Sequence, residues 1–177
     1  KSATLMIKGQ SFPVLSDWAK ASELKGHRFI IGVGVPATKR IMVQKALAAK
    51  LVAAPTQIHP TATVQDAKLG VGGMICPGAV VTTNVKLGNY VVLNTNSTVG
   101  HDAVVGDFVT CNPGSSVSGN TTLGEGVYFG VGAATKEGVS IAKNVIVGGK
   151  AFVNKNVTEE AVTVVGVPAA IMRKSGT

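Results

Sequence analysis

Between residues 69 and 158 the chain divides into fifteen consecutive six-residue blocks, with no insertion or deletion. Thirteen blocks begin with an aliphatic or aromatic residue, and the other two begin with Cys111 and Thr135. The fifth residue of every block is Gly, Ala, Ser, Thr or Val. A period of six fits neither an α-helix nor a simple strand, and it therefore indicates a repeat architecture. The pattern predicts a mainly β protein built on a parallel β-helix, in which three blocks make one triangular coil and the whole set makes about five coils.

The position of a residue within its block predicts where its side chain lies. The first and fifth residues are expected to face the interior, because stacked coils bury an apolar row that no single coil can bury alone. The second residue is Gly in seven blocks and Asn in three. Since both residue types tolerate a positive φ, the second position is predicted to form the corners. The pattern starts upstream near Ile58 and slips by one residue before Leu69.

Residues 1–54 have a different pattern and are predicted to form a small, partial α/β domain of the Rossmann type, followed by the β-helix domain at residues 55–177. Residues 27–34 are predicted to form a buried strand that ends in glycines, and residues 37–51 a helix in which apolar residues lie between lysines and an arginine. A short helix is expected at residues 16–24. The domain is short for a doubly wound unit and its first residue is Lys rather than Met. We therefore expect it to be incomplete.

The formal charge of +8 is concentrated in residues 1–54, which hold nine Lys and Arg against two Asp and Glu. Such a surface could attract an anionic small molecule, or it could be an ordinary solvated lysine surface. Nucleic acid is a poor candidate because no aromatic residues alternate with the basic ones. The sequence has two cysteines and no long apolar run, so a soluble, cytoplasmic protein with no membrane insertion is expected. Cys111 is predicted to be a core residue.

His101 is the chemical candidate among the three histidines, His27, His59 and His101. It occupies the third position of its block, which is not an inward position, so its imidazole is expected to face outward. Asp102 follows directly, and a neighbouring carboxylate can fix the imidazole tautomer and raise its basicity. His27 and His59 are expected to have structural roles. A His-Asp pair on a surface is common by chance, so the pair alone does not establish a general base.

A set of short segments between residues 27 and 174 is shared with a known family. They read Phe-Ile-Ile-Gly-Val-Gly at 29–34, Ile-His-Pro at 58–60, Leu-Asn-Thr at 93–95, Gly-His-Asp at 100–102, Val-Gly-Asp-Phe at 105–108, Ser-Gly-Asn at 118–120, Gly-Val-Gly-Ala at 130–133 and Val-Gly-Val-Pro-Ala at 165–169. In these segments the chain resembles the hexapeptide-repeat acetyltransferases that modify sialic acids and nucleotide-linked amino sugars. The Asn…His-acid segment, in register with the later glycines, is more specific than the repeat alone.

The resemblance implies a left-handed β-helix and a homotrimer, with acetyl-CoA bound between adjacent β-helices as the acetyl donor and no metal. His101 would be the general base that deprotonates an amine or hydroxyl of the sugar, and Asp102 would orient it. Asn94 would position the sugar, and the backbone N–H of Gly119 would stabilise the oxyanion. The residues implied to bind the cofactor are Thr110, Gly119, Val131, Gly132, Ser140, Gly149 and Lys150.

Two features depart from this family. Some relatives have a second histidine nine residues after the base, in contact with the cofactor, and this chain has Thr110 there. The family's nucleotide-sugar domain also opens with a strand and a glycine-rich turn that cradles the phosphates, and the sequence starts beyond that point. Either the sequence is a fragment, or this member lacks the nucleotide pocket.

Two other classes of protein compete with a sugar acetyltransferase. A γ-type carbonic anhydrase is also a hexapeptide prism, but it binds zinc through three histidines, and His101 has no evident histidine partners. The second alternative is a non-catalytic β-helical scaffold or a degenerate homologue without a donor or acceptor pocket. Binding of acetyl-CoA, measured by calorimetry, separates this alternative from the enzyme.

Overall fold

The six-residue blocks form a parallel β-helix in the computed structural model, which describes residues 3–14 and 17–172. Its strands stack into three sheets, here called faces 1, 2 and 3 in the order in which the chain visits them. Face 1 comprises Gln57–Ile58, Met74–Ile75, Val92–Leu93, Thr110–Cys111, Tyr128–Phe129, Ile146–Val147 and Thr163–Val165, and the antiparallel strand Ala170–Ile171 ends it. Face 2 comprises Thr63–Val64, Val80–Val81, Thr98–Val99, Ser116–Val117, Ala134–Thr135 and Phe152–Val153. Face 3 comprises Ala67–Leu69, Val85–Leu87, Val104–Val105, Thr122–Leu123 and Ser140–Ile141.

The predicted fold class is confirmed, and the register of the strands follows the blocks. Paired residues are separated by three blocks, as in the pairing of Val92 with Thr110. Thr63 pairs with Val80, which is one residue short of three blocks, and the full spacing is restored where Ala67 pairs with Val85. The one-residue slip before Leu69 is therefore present in the structure. Face 2 stacks six strands, more than the five predicted coils, because the irregular segment before residue 69 also joins the sheets.

The interior has the composition that the block positions predict. First-position residues from Ile75 to Val153 are at most 6% exposed, and fifth-position residues from Ala79 to Ala151 are at most 4% exposed. Cys111 is one of these core residues, fully buried and without a disulfide. Stacked aliphatic side chains therefore fill the prism from end to end, and the positions left over carry the surface and any chemistry.

The prediction that the second position forms the corners with a positive φ is wrong. Positive φ values recur at the fourth position instead, as at Asn84 (φ 57) and Gly132 (φ 63). Glycine is favoured at the second position of a block for another reason. A Cβ on Gly100 would lie 2.5 Å from the backbone nitrogen of Gly119 in the next coil. These glycines are therefore needed for the close approach of successive coils.

The N-terminal part of the chain contains a hairpin and a strand–helix–strand unit. The strands β1 (Ala3–Ile7) and β2 (Gln10–Val14) pair antiparallel, and the 3₁₀ helix Trp18–Leu24 follows. The strand β3 (Arg28–Phe29), the helix α1 (Pro36–Ala48) and the strand β4 (Val52–Ala53) come next, and β3 pairs parallel with β4.

The predicted elements of this region are present, with different bounds. The helix begins at a proline, which suits the first helical position because its missing N–H would be unpaired there anyway. The predicted strand 27–34 is shorter and mostly not buried: Arg28 and Ile30 are exposed, and Ile31 is buried. A sheet of only β3 and β4 covers little of that segment. The short predicted helix is the 3₁₀ helix, and Ser16 lies outside the described residues. The domain boundary at residue 54 stays a prediction.

The helix α1 is attached to face 1 by a buried lysine. The ammonium of Lys39, 1% exposed, donates hydrogen bonds to the carbonyl oxygen of Tyr90 at 2.8 Å, to that of Val109 at 3.3 Å and to the hydroxyl of Thr110 at 2.9 Å. The ring of Phe29 on β3 stacks with that of Tyr90, with centroids 6.4 Å apart, and the Arg40 guanidinium lies over the ring of Phe108, 5.4 Å from its centroid. Polar and aromatic contacts thus hold the strand–helix–strand unit against the β-helix.

Burial of Lys39 predicts a pH dependence of folding. Loss of water around the ammonium lowers the pKa of Lys39 from 10.5 to about 8. Between these two values the unfolded chain holds a proton that the folded chain has released, so the contribution of Lys39 to stability rises with pH, by about 3 kcal/mol across the window. Below pH 8 the contribution is flat. We expect urea denaturation to show this rise, and Lys39→Met to remove it. The exposed Lys45→Met should retain the rise, and an unchanged pH slope in Lys39→Met would contradict the prediction.

Candidate active site

His101 lies at the edge where face 2 turns into face 3, immediately after the strand Thr98–Val99. Because residue 101 is at the third position of its block, the backbone directs its side chain away from the apolar interior. The side chain is 55% exposed, as expected from the block position. The imidazole is thus outside the prism wall, where it can meet another molecule.

Asp102 holds one side of this imidazole. The Asp102 Oδ2 lies 2.9 Å from the His101 Nδ1. The other carboxylate oxygen, Oδ1, accepts a hydrogen bond from the Asn84 Nδ2 at 2.6 Å. The hydrogen bond with His101 and then that with Asn84 hold the pKa of the Asp102 carboxyl below its ordinary value. The carboxylate is therefore ionised at neutral pH and accepts at both oxygens.

Asn84 was not identified from the sequence. It belongs to the preceding coil, three blocks before Asp102, at the same corner position. The spacing was available in the sequence, since residues three blocks apart stack in a β-helix. Adjacency along the chain points only to Asp102, whereas Asn84 is eighteen residues before it.

Gly119 lies on the other side of the imidazole, one coil after His101. A Cβ at Gly119 would come within 2.5 Å of the His101 Nε2 and 2.6 Å of Cε1. The absence of a side chain therefore makes room for the ring. Within the described residues, the N–H of Gly119 has no hydrogen-bond partner, although Gly119 itself is buried. The N–H groups of the third-position residues His101, Val131 and Gly149 likewise have no acceptor among the described residues, so an open N–H recurs at this position of the coil.

The other candidate residues lie elsewhere on the prism. Five of them are at or near the edge between faces 1 and 2, namely Asn94, Val131, Gly132, Gly149 and Lys150. Val131 is 55% exposed, and Lys150 is exposed as well. The two residues are neighbours in successive coils, since the N–H of Lys150 donates to the carbonyl oxygen of Val131. Ser140 is exposed on face 3. The structure thus brings His101, Asp102 and Gly119 together at one edge of the prism. Most of the other candidate residues lie together at a different edge.

Thr110 takes a different part from the one implied by the resemblance. It is completely buried on face 1, beneath the helix α1. Its hydroxyl donates to the carbonyl oxygen of Gly34 at 2.6 Å and accepts from the ammonium of Lys39 at 2.9 Å. The Thr110 oxygen is enclosed and both of its contacts are internal, so Thr110 is a structural residue that holds α1. The cofactor contact implied for it is wrong.

The other two histidines form hydrogen bonds with residues two or three positions away in the sequence. His27 Nδ1 lies 2.9 Å from the carbonyl oxygen of Leu24, and His59 Nδ1 lies 2.9 Å from the hydroxyl of Thr61. Across residues 3–14 and 17–172, no three His, Cys, Asp or Glu side chains are grouped as metal ligands would be. The three-histidine arrangement that a γ-type carbonic anhydrase needs therefore has no support in these residues.

None of the helices in the described ranges combines the length and the apolar character needed to cross a bilayer. A cavity of about 410 Å³ lies between the first turn of α1 and face 1. Its walls are mainly apolar, and they include Val35, Pro36, Arg40 and Tyr128. This cavity is separate from the edge that carries His101.

Comparison with known proteins places these features in a family. No protein-family model matches the sequence, and no curated protein matches it significantly. Solved structures do match. Perosamine N-acetyltransferase from Caulobacter crescentus, a variant solved with CoA and GDP-perosamine, is 27% identical over 92% of this chain and 78% of that chain, with a TM-score of 0.86.

Two further solved structures agree with it. The acetyltransferase domain of PglB from Neisseria gonorrhoeae, solved with acetyl coenzyme A, is 30% identical over 94% of this chain and 81% of that chain, with a TM-score of 0.84. WeeI from Acinetobacter baumannii is 28% identical over 95% of this chain and 81% of that chain, with a TM-score of 0.73. Given this identity and coverage, together with the hexapeptide coils, the chain belongs to the family of hexapeptide-repeat sugar acetyltransferases.

Proposed function

We propose that this protein transfers the acetyl group of acetyl-CoA to an amino group or a hydroxyl of a nucleotide-linked sugar, with His101 as the general base. The observation that carries the proposal is the arrangement at one edge of the β-helix. The His101 imidazole is paired with Asp102 through Nδ1, and its Nε2 lies over Gly119. The related proteins from Caulobacter crescentus and Neisseria gonorrhoeae, solved with CoA and acetyl coenzyme A respectively, support the choice of donor.

The pairing with Asp102 determines which nitrogen of His101 can act as a base. An ionised carboxylate only accepts hydrogen bonds, so the Nδ1 of a neutral imidazole must carry the proton that it shares with Asp102. The Nε2 then has a free lone pair. This atom takes the proton from the sugar amine or hydroxyl as that group attacks the thioester carbonyl. The imidazolium then returns the proton to the departing thiolate of CoA, which balances the reaction.

The backbone N–H of Gly119 is suited to stabilise the oxyanion that forms in this step. It has no acceptor among the described residues, and it lies next to the imidazole. A fixed N–H donor beside the carbonyl oxygen stabilises the negative charge of the tetrahedral intermediate more than the neutral thioester. In this proposal the carbonyl oxygen of the thioester faces the N–H of Gly119, and the attacking amine or hydroxyl faces the Nε2 of His101.

We further propose that the site is completed by a neighbouring subunit in a homotrimer. His101 lies at the edge of faces 2 and 3, whereas Asn94, Val131, Gly132, Gly149 and Lys150 lie at or near the edge of faces 1 and 2. A single ligand that contacts both groups needs the second edge to come from another copy. The edge of Val131 and Lys150 would then line the pantetheine and nucleotide of acetyl-CoA, and Asn94 would position the sugar. Ser140 would be contributed by face 3 of the subunit that carries His101.

The acceptor is proposed to be nucleotide-linked because the N-terminal region is basic. Residues 1–54 carry most of the formal charge of +8, and a diphosphate carries negative charge that such a surface attracts. The structure of the Caulobacter crescentus protein contains GDP-perosamine. The reaction is proposed to take place in the cytoplasm.

A screen of acceptors tests the proposal. Acetyl transfer from acetyl-CoA would be measured by mass spectrometry across amino and hydroxy sugars linked to UDP, GDP or CMP. We expect a mass gain of one acetyl group on at least one acceptor in the presence of the protein, and a much slower gain with Asp102→Asn. Calorimetry with acetyl-CoA accompanies the screen. A protein that neither binds acetyl-CoA nor acetylates any of these sugars would instead support the non-catalytic scaffold.

Gly119→Ala is expected to lower kcat by about tenfold to a hundredfold, because the new methyl group would displace the imidazole from its position. The backbone of Gly119 is outside the left-handed region, so the fold should accept alanine. Steady-state kinetics with a thermal melt measures both effects. Gly32→Ala is the matched control, since no atom lies within 4 Å of its added Cβ. A fully active Gly119→Ala enzyme would show that the observed ring position is not the working one.

A further inference from the structure

Asn84 and Asp102 are stacked corner residues in successive coils. Both occupy the fourth position of a block, and both have a left-handed backbone, with φ values of 57° and 58°. The amide of Asn84 donates from Nδ2 to the Asp102 Oδ1 at 2.6 Å, while the Asp102 Oδ2 bonds His101 at 2.9 Å. The carboxylate is thus held at each of its two oxygens by a different partner.

We propose that Asn84 is a positioning residue of the acetyl-transfer site, which acts on His101 through Asp102. This inference rests on the proposed function. The Asp102 side chain is 45% exposed, and rotation about the last bond of an aspartate side chain is only weakly restricted. With Oδ1 fixed by Asn84, the plane of the carboxylate is set and Oδ2 faces the Nδ1 of His101. Without that contact the carboxylate turns toward water and the imidazole loses its fixed tautomer.

The residue type suits this task at this position. Asparagine is among the few residues that adopt a positive φ at small cost, so its amide reaches the next coil without backbone strain. The amide is also a neutral donor. It stabilises the ionised carboxylate of Asp102 while leaving its negative charge available to the imidazolium that forms during the reaction.

Two substitutions separate positioning from a structural role. Asn84→Gly removes the amide and keeps the backbone unstrained, because glycine adopts a positive φ readily. Asn84→Asp keeps the size and shape but replaces the donor with a carboxylate that repels Asp102. We expect kcat to fall about tenfold in Asn84→Gly, a usual loss when a partner that orients a histidine is removed, with KM little changed. Asn84→Asp should be slower still. A role in shape or corner geometry alone predicts the opposite order.

The tautomer of His101 supplies a readout that does not depend on turnover. Nitrogen NMR of the resting protein, with the imidazole neutral, should show the proton on Nδ1 in the wild type. In Asn84→Gly and Asn84→Asp the signal should move toward a mixture of tautomers. Asn120→Gly is the matched control, since Asn120 has the same corner backbone (φ 56) but bonds Glu137. It should leave the His101 signal unchanged.

The tautomer of His101 tests the positioning role of Asn84, and acetyl transfer by the wild type tests the proposed function. An unchanged tautomer in both Asn84 variants would overturn the positioning role, whatever the enzyme acetylates. The altered tautomer combined with no acetyl transfer by the wild type would support the coupling of Asn84 to His101 and reject the proposed function instead. In an Asp102→Asn background, Asn84→Gly should have no additional effect on kcat. A further tenfold loss there would place Asn84 outside the Asp102 interaction and also overturn the inference.

Discussion

Replacing His101 with alanine is expected to lower kcat by about 10²–10⁴-fold, the range that general base catalysis contributes. The imidazole is the group that removes the proton from the attacking amine or hydroxyl, and alanine leaves only water to do so. The side chain is 55% exposed and lies outside the apolar core. The variant should therefore melt within a few degrees of the wild type, and the loss should appear in kcat rather than in folding.

His59→Ala is the matched control for this experiment. His59 is also exposed, and its ring forms hydrogen bonds with Thr61, two residues away. Loss of that imidazole should leave kcat within about twofold of the wild type, since surface substitutions away from a site have small effects. If His101→Ala retained near wild-type turnover, the assignment of the general base would be wrong. Equal losses in the two variants would point to a nonspecific effect of removing a surface imidazole.

The second large effect is a loss of stability when a charge is placed in the interior of the β-helix. Val105→Asp should destabilise the protein by more than about 4 kcal/mol, because it buries a carboxylate without a partner among stacked aliphatic side chains. Val105 is 1% exposed and belongs to the main core. At this size the loss corresponds to a drop in Tm of about 10 °C or more, or to insoluble protein. Circular dichroism on a temperature ramp, with the yield of soluble protein, measures the effect.

Val104→Asp provides a control one residue away in the same strand. Val104 is 40% exposed on the outer side of face 3, so the same chemical change places the carboxylate in water. Its Tm should stay within a few degrees of the wild type. Comparable losses for the two variants would mean that the inward and outward positions of the blocks are assigned incorrectly.

The positions of side chains were predicted correctly where the six-residue repeat is regular. Inward residues such as Val105 and Cys111 were identified correctly because every coil presents the same environment at the same block position. Averaging over fifteen blocks makes such a signal strong. The outward position of His101 followed from the same argument. Where the repeat ends, at the segment 27–34, the predicted buried strand proved shorter and more exposed, because no periodic pattern constrained it.

The error about the corners has a physical cause. Glycine is required for two different reasons in a coil, a positive φ and the close approach of backbones, and composition does not distinguish them. Gly100 has the second reason, whereas Gly132 has the first. Only the coordinates show that the second position faces the next coil and that the fourth position turns the chain.

In the candidate site, the contact between adjacent residues was predicted from the sequence, and the contacts between coils were not. The His101–Asp102 pair is adjacent in sequence, and it was found there. The partners that complete the arrangement come from other coils, with Asn84 on the carboxylate and Gly119 under the ring. Thr110 was implied as a cofactor ligand by its distance from His101 along the chain, yet the docking of α1 encloses it.

By itself, the sequence determined the coil, the inward rows and the outward imidazole, because a period of six specifies the environment of each position through local geometry and burial. Only the tertiary structure decided which side chains meet across coils and which are covered by α1. Those contacts join residues far apart in the chain, and their geometry depends on strand register and on a docking surface that does not repeat. The buried ammonium of Lys39, bonded to carbonyl oxygens of two different coils, is the contact that periodicity could least have predicted.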